Sequence, residues 1–307
     1  MDTILTQFFV VVIIQSLIPI FLKKYNFNRY MASFCGAVLA IIFSILWNEY
    51  EGMKKGKKFS LMDEVNEISS KTSPEILLLS VWSWIKDIIR LFFYSKMSAS
   101  FVKGSSCIMT VSAFLADSYL LNNTLTPIQM MCVAILTVSS GYWSFIREKK
   151  NKNKNIVMLI AALFLTRVID GIVVVKKKKF IDTMSTQSFS ILSSLVFLLL
   201  NIVALTYNKQ WNTFTWETFF YYGVLGTIVF LAQSFYRKKI SNTTFLSMVS
   251  LSPAIVALFS RFILKEQLRR VEWFIIFIIM ASVFMIQKID SDKKAKKKAE
   301  TENSQKI

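Results

Sequence analysis

The chain has 307 residues, 54% of them hydrophobic, and 37 Lys plus Arg against 19 Asp plus Glu for a formal charge of +18. Globular proteins average about 45–50% apolar residues, and here the excess is gathered into blocks of roughly twenty, the length that crosses a bilayer as a helix; a soluble domain of this size is excluded. Histidine is absent, which removes imidazole bases, imidazole metal ligands and histidine pH switches, and with them zincins, serine triads and histidine-dependent membrane acyltransferases.

Apolar length and polar breaks predict ten transmembrane helices, at 4–22, 30–48, 75–95, 99–121, 126–146, 156–175, 187–207, 216–236, 241–263 and 271–288. The first ends in Phe21-Leu22-Lys23-Lys24 with neither a basic n-region nor a small-residue cleavage site, so it reads as a retained helix and not a signal peptide. Residues 49–74 are charged and serine-bearing and read as a loop, while 289–307 reads as a disordered basic tail too polar to pack. Cys35, Cys107 and Cys132 stand far apart in apolar runs, as small core residues and not as metal ligands.

The positive charge does not point to nucleic acid, because it lies between the apolar blocks: Lys54-Lys55-Gly56-Lys57-Lys58, Lys176 to Lys179, Arg237-Lys238-Lys239 and Lys293 to Lys298. Such clusters anchor helices at anionic headgroups. Ten helices put both termini on one side, and with that side cytosolic the cytosolic segments carry 19 Lys and Arg against 13 opposite, five of those 13 lying in Arg147 to Lys154. The bias sets both termini in the cytosol. On that orientation the sequons at Asn122 and Asn242 also face the cytosol, and neither is expected to be glycosylated.

The chain also compares with itself. When its second half is laid over its first, Leu121-Asn-Asn-Thr-Leu125 followed by Pro127-Ile128-Gln129 matches Leu264-Lys-Glu-Gln-Leu268 followed by Arg270-Val271-Glu272. Each hairpin ends a five-helix half, 1–150 and 151–288. Two copies of an odd-numbered unit insert in opposite directions, so the predicted fold is an all-α integral membrane protein of two inverted five-helix repeats. The segment from Ser247 through Pro253 and Leu264-Lys-Glu266-Gln-Leu268 to Trp273 resembles the penultimate hairpin of the drug/metabolite transporter superfamily, whose members include the EamA-like transporters. Helix 4 and its exit to Gln129 resemble the matching element of the nucleotide-sugar transporter branch. Two positions depart from that branch: its amide-rich stretch in helix 3 is here Ile85-Lys86-Asp87-Ile88, and its helix-4 lysine falls at Ile108 or Met109.

Charged residues inside spans cost roughly +2.5 to +3.5 kcal/mol each on insertion scales and need a partner or a wet cavity. Lys86 and Arg90 share one helical face, with Asp87 three residues before Arg90. Either the face offers an ammonium and a guanidinium fork to an anion, or Asp87 neutralises Arg90 while Lys86 snorkels. Arg167 and Asp170 are spaced to neutralise each other, yet open the second half where the site of an inverted-repeat carrier lies. Lys103 stands near the start of its helix. Tyr222 and Gln233 can hydrogen-bond a nucleoside or sugar, and Gly223 and Gly226 allow a neighbouring helix to come close. Pro19 and Pro253 are expected to kink their helices.

These eight, Lys86, Asp87, Arg90, Lys103, Arg167, Asp170, Tyr222 and Gln233, are the candidate substrate-binding residues, with no cofactor, no metal and no catalytic residue. No Gly-x-x-x-x-Gly-Lys-Ser/Thr loop exists, so transport is expected to run on gradients or exchange. By resemblance the substrate is a nucleotide sugar exchanged for a nucleoside monophosphate in the Golgi or endoplasmic reticulum membrane. A general metabolite, amino-acid or triose-phosphate exporter, and a non-transporting adaptor or receptor, stand as alternatives. The partners are a small anionic metabolite, the lipid bilayer and, as an open alternative, a second copy of the chain in a homodimer.

Overall fold

A computed structural model describes residues 3–25, 27–54, 56, 61–97, 99–121, 125–148, 156–265 and 267–304; Asn122, Glu266 and the side chains of Cys107 and Asn242 lie outside it. The order of elements is α1 (Thr3–Tyr25), α2 (Arg29–Lys54), α3 (Leu61–Lys71), α4 (Pro74–Lys96), α5 (Ala99–Gly104), α6 (Ser106–Leu121), α7 (Pro127–Glu148), α8 (Ile156–Thr183) and α9 (Thr186–Tyr207). A 3-10 turn (Trp211–Thr213) and a π-helical turn (Thr218–Val224) then lead into α10 (Leu225–Lys239), α11 (Asn242–Val249), α12 (Ser252–Ile263) and α13 (Arg270–Ser304). Among the described residues there is no strand.

Seven stretches are long and apolar enough to cross a membrane: Thr3–Tyr25, Arg29–Lys54, Val157–Lys178, Thr186–Tyr207, Thr218–Lys239, Thr244–Ile263 and Arg270–Ile289. The other three predicted spans are helical as well, each with an interruption of its apolar character. α4 carries Lys86, Asp87 and Arg90 in mid-helix; the span 99–121 is divided into α5 and α6 at Ser105; the described apolar stretch of α7 is Pro127–Ser139.

Local chemistry starts the helices where polar side chains can take up orphan amides. Ser73 accepts from the Ile76 amide at 3.4 Å ahead of Pro74. Thr126 and Gln129 form a reciprocal capping box at the start of α7, with the Thr126 amide on Gln129 Oε1 at 3.0 Å and the Gln129 amide on Thr126 Oγ1 at 3.2 Å. Glu272 closes the corresponding bond at the start of α13, accepting from the Arg269 amide at 2.7 Å. The predicted span 241–263 is interrupted at Ser250 and Leu251, and Pro253 stands in the first turn of α12 just after the break, where its missing N–H costs nothing. Pro19 lies within α1.

Two predicted stretches differ from expectation. Within the loop 49–74, α3 forms because Val65 and Ile68 are spaced for one helical face; Ile68 meets Ile76, Met184, Phe189 and Leu192. Glu67 holds α3 to the start of α9, accepting from the Ser185 amide at 3.1 Å, the Ser188 hydroxyl at 2.8 Å and Lys71 Nζ at 2.8 Å. Partial burial pushes the Glu67 carboxyl up, but the bonds from Lys71, Ser188 and Ser185 with the Lys71 charge outweigh it and hold the group below its ordinary value. At the other end, α13 carries helical backbone to Ser304, into the stretch read as a tail, where Ala, Lys and Glu residues favour helix.

Hydroxyl pairs and a glycine draw the helices together. Ser16 and Ser252 lie 2.7 Å apart, Thr110 and Ser250 2.8 Å, and Ser80 and Ser193 3.2 Å. At Gly171 on α8 the backbone of α6 comes so near that a Cβ would stand 2.6 Å from both Ala113 N and Met109 O. One end of the bundle is marked by Phe8 against Tyr236 and Phe245, with ring centroids at 5.3 and 5.1 Å. The opposite end is marked by Phe21 on Tyr221 at 4.4 Å and by the Asn28 to Gln210 bond of 2.9 Å. Between the two ends lies a cavity.

Candidate functional site

The cavity has a volume of about 220 Å³ and is walled by α1, α2, α4, α8, α9 and α10, with Lys103 entering from α5. Six of the eight residues singled out in the sequence reach its wall: Lys86, Asp87, Arg90, Lys103, Tyr222 and Gln233. Two cations that the sequence reading left in loops, Lys177 and Arg237, reach it too. They do so because α8 and α10 run on past their predicted ends, to Thr183 and Lys239. A helix continued through a basic run turns every third or fourth of its cations inward, so Lys177 was separable from its neighbours by phase once the helix's length was known.

At the centre, Asp87 is held from two sides. Its Oδ1 pairs with Arg90 Nη2, and its Oδ2 accepts the Tyr222 hydroxyl at 2.5 Å, while Arg90 Nη2 also donates to Tyr222 Oη at 3.1 Å. The π-helical turn sets the phase that brings Tyr222 to this position, since one extra residue per turn rotates the side chains that follow. Gly223 beside it lets α2 approach, with Cys35 Cβ at 3.3 Å from where its own Cβ would be; Gly226 faces only the Tyr222 ring at 4.0 Å. The neutralising partnership of Asp87 with Arg90 is therefore made, yet both residues still line the cavity.

The remaining cations have no such partner close by among the described residues. Lys103 is 7% exposed, and the charged groups around it are Arg90 and Arg167, both positive. Asp170 and Asp87 are the carboxylates whose charges reach Lys86. Among the described residues the wall carries five cations, Lys86, Arg90, Lys103, Lys177 and Arg237, and one carboxylate, Asp87. Five polar atoms on that wall, Gln15 Oε1, Arg90 Nε, Tyr94 Oη, Gln233 Nε2 and Arg237 Nε, have no hydrogen-bond partner among the described residues. Buried polar groups are otherwise satisfied, so these atoms belong to water or to a solute.

Arg167 and Asp170 do not reach the wall. Arg167 donates from Nε to Ser105 Oγ at 3.1 Å and from Nη2 to Val102 O at 2.9 Å, and its Nη1 lies 3.5 Å from Asp170 Oδ2. These bonds tie α8 to the break between α5 and α6 through the Val102 carbonyl and the Ser105 hydroxyl. Both side chains are almost wholly buried, at 6% and 1% exposed. Their pairing is the mutual neutralisation that the three-residue spacing allows, and neither residue is among those lining the cavity. Among the described residues no group of three or more Cys, Asp or Glu side chains converges as a metal-binding set.

The model of the EamA-like transporter family matches residues 153–287. The second half of this chain is thus similar to that family. That half supplies Lys177, Tyr222, Gln233 and Arg237 to the wall, and it contains the Ser247 to Trp273 hairpin whose resemblance to the drug/metabolite transporter superfamily the match supports. Nothing in it marks the nucleotide-sugar branch. A crystal structure described only as that of a protein shares the fold over 92% of this chain and 96% of its own, with a TM-score of 0.68 at 11% identity, a likeness of fold alone. No curated protein matches the sequence. The likeness to the EamA-like family over residues 153–287, with seven stretches long and apolar enough to cross a membrane, points to a multi-pass membrane protein and to a transporter rather than an enzyme.

Proposed function

We propose that the protein is a secondary transporter that carries a small anionic metabolite by alternating access through the central cavity. The observation that carries this reading is the wall of five cations to one carboxylate, set among helices where a lowered dielectric strengthens charge interactions. Arg90 and Arg237 offer forked donors to carboxylate or phosphate oxygens, and Lys86, Lys103 and Lys177 offer point charges. Tyr94, Gln15 and Gln233 supply polar contacts that select among anions.

Three features support ten crossings arranged as two inverted repeats. The capping bonds at Gln129 and Glu272 occupy matching places in the two hairpins, and each opens the last helix of its half. Both halves have a fourth helix that is broken, α5 to α6 and α11 to α12. Contacts come in exchanged pairs: α6 with α8 answers α12 with α1, and α2 with the π-helical turn answers α9 with α4, while α2 with α9 and α7 with α13 answer themselves. Rocking one half against the other would then expose the cavity to each side in turn.

Exchange of a nucleotide sugar for a nucleoside monophosphate in the Golgi or endoplasmic reticulum, with both termini cytosolic, is the finer form of this reading, and it rests on the resemblance of helix 4 and on the 19 to 13 charge bias. The cavity of about 220 Å³ favours a smaller anion, since sites for drug-sized ligands run to about 300–1,000 Å³. A panel of labelled nucleotide sugars, sugar phosphates and carboxylates, offered to proteoliposomes preloaded with unlabelled anion, separates the two. Uptake above empty liposomes that falls at least about tenfold in K177Q/R237Q is the expected result. Folded protein that exchanges no anion of the panel would refute the reading and favour an adaptor.

A further inference from the structure

Beyond the central cavity, the structure assigns a second binding site: a crevice of about 300 Å³ between α2, the start of α9 and the end of α10, which we infer takes the phosphate headgroup of an anionic phospholipid. It shares no lining residue with the central cavity. Lys238 and Lys239 stand on one side of it, with Lys239 Nζ 4.0 Å from the Phe235 ring centroid. On another side, Thr186 and Gln187 begin α9, a helix of 22 residues. Their amides have no acceptor within the helix, and the positive end of its dipole favours an anion there. Glu67 occupies only the Ser185 amide and the Ser188 hydroxyl of this terminus.

The independent sign of a ligand is Ser44. Serines in these helices return their hydroxyl to the carbonyl four residues earlier, as Ser16, Ser80 and Ser83 do. Ser44 lines the crevice at 0% exposure, and its hydroxyl has no hydrogen-bond partner among the described residues. Glu51 also lines the crevice, but the Trp47 indole donates to it at 3.0 Å, and two lysines face it. A lipid fits better than a free anion because the apolar side chains of Trp47, Leu231 and Phe235 line the crevice beside its two lysines. Trp47, 43% exposed at the mouth, takes the interfacial position that tryptophan favours.

The test uses the full chain in detergent micelles and follows its unfolding midpoint against added phosphatidylglycerol, phosphatidylcholine or sodium phosphate. Phosphatidylglycerol is expected to raise the midpoint by mass action, and the other two to leave it in place. K238Q/K239Q should need about thirtyfold more phosphatidylglycerol for the same shift, the attraction of two juxtamembrane lysines. The charge-matched tail variant K296Q/K297Q should respond as wild type. An unchanged response in K238Q/K239Q, an equal loss in the tail variant, or an equal shift with sodium phosphate would each overturn the lipid site. Should K238Q/K239Q not fold, quenching of Trp47 by brominated phosphatidylglycerol, read in wild-type protein as the difference from W47F, decides the matter. Quenching by the anionic and not the zwitterionic lipid is expected, and its absence overturns the proposal.

Discussion

Gly171→Ala perturbs the tightest glycine contact among the described residues by a single methyl group. The new Cβ would stand 1.8 Å from Ser112 Oγ, 2.6 Å from Ala113 N and 2.6 Å from Met109 O. The serine hydroxyl can rotate away, but the two backbone atoms belong to α6 and cannot. Ordinary contact begins near 3.4 Å, so α6 and α8 must separate by about 0.8 Å. Overpacking of this kind costs about 1–3 kcal/mol, and because backbone opposes backbone we take the upper end. Alanine regains about 0.8–1.0 kcal/mol in helix propensity, leaving a net loss of about 2 kcal/mol. The separation also strains the bonds from Arg167 to Val102 and Ser105 that hold the α5 to α6 break. Unfolding in mixed micelles should therefore show G171A destabilised by about 2 kcal/mol, the overpacking cost less the propensity gain, with S112A/G171A no better. Stability of G171A within about 0.5 kcal/mol of wild type, the range of an unconstrained surface substitution, or full rescue by Ser112→Ala, would refute the reasoning.

Two further perturbations probe the site and its surroundings. Tyr222→Phe removes the 2.5 Å donor to Asp87; a hydrogen bond to a charged group is worth about 1.5–3 kcal/mol, so solute affinity measured by uptake competition should change at least about tenfold, while an unchanged KM would place the triad outside the transport cycle. Glu67 has a depressed folded-state pKa, so its contribution to docking α3 is present above its unfolded value near 4.5 and is lost as pH falls through the folded value. Hydrogen-exchange protection in 61–71, taken relative to the intrinsic rate at each pH, should fall on acidification in wild type and be lower but much less pH-dependent in Glu67→Gln; identical profiles for the two would exclude the carboxylate as the latch.

The sequence could place Lys86, Asp87 and Arg90 on one helix because a three- and four-residue spacing is a local geometric fact, and the same arithmetic brought Arg167 near Asp170. It could not tell the two clusters apart. Both are pairs of opposite charge at i,i+3, and only the neighbours decide that the first faces a cavity with Tyr222 while the second braces a broken helix. Lys177 and Arg237 were hidden for a related reason. In the sequence they stand in basic runs at the membrane surface, and their inward phase follows only when α8 and α10 are seen to continue past the apolar blocks.

What the amino-acid sequence determined by itself is the bilayer as solvent, the succession of apolar helices, the absence of imidazole chemistry and the echo between the two hairpins, since each depends on composition or on short-range spacing. The tertiary structure decided which cations share one cavity, which serine among the described residues is left without a partner, and where a glycine lets two helix backbones meet. Those outcomes depend on helices far apart in the chain meeting at particular faces, and side-chain phase relative to a distant neighbour is a property that no local stretch of sequence contains.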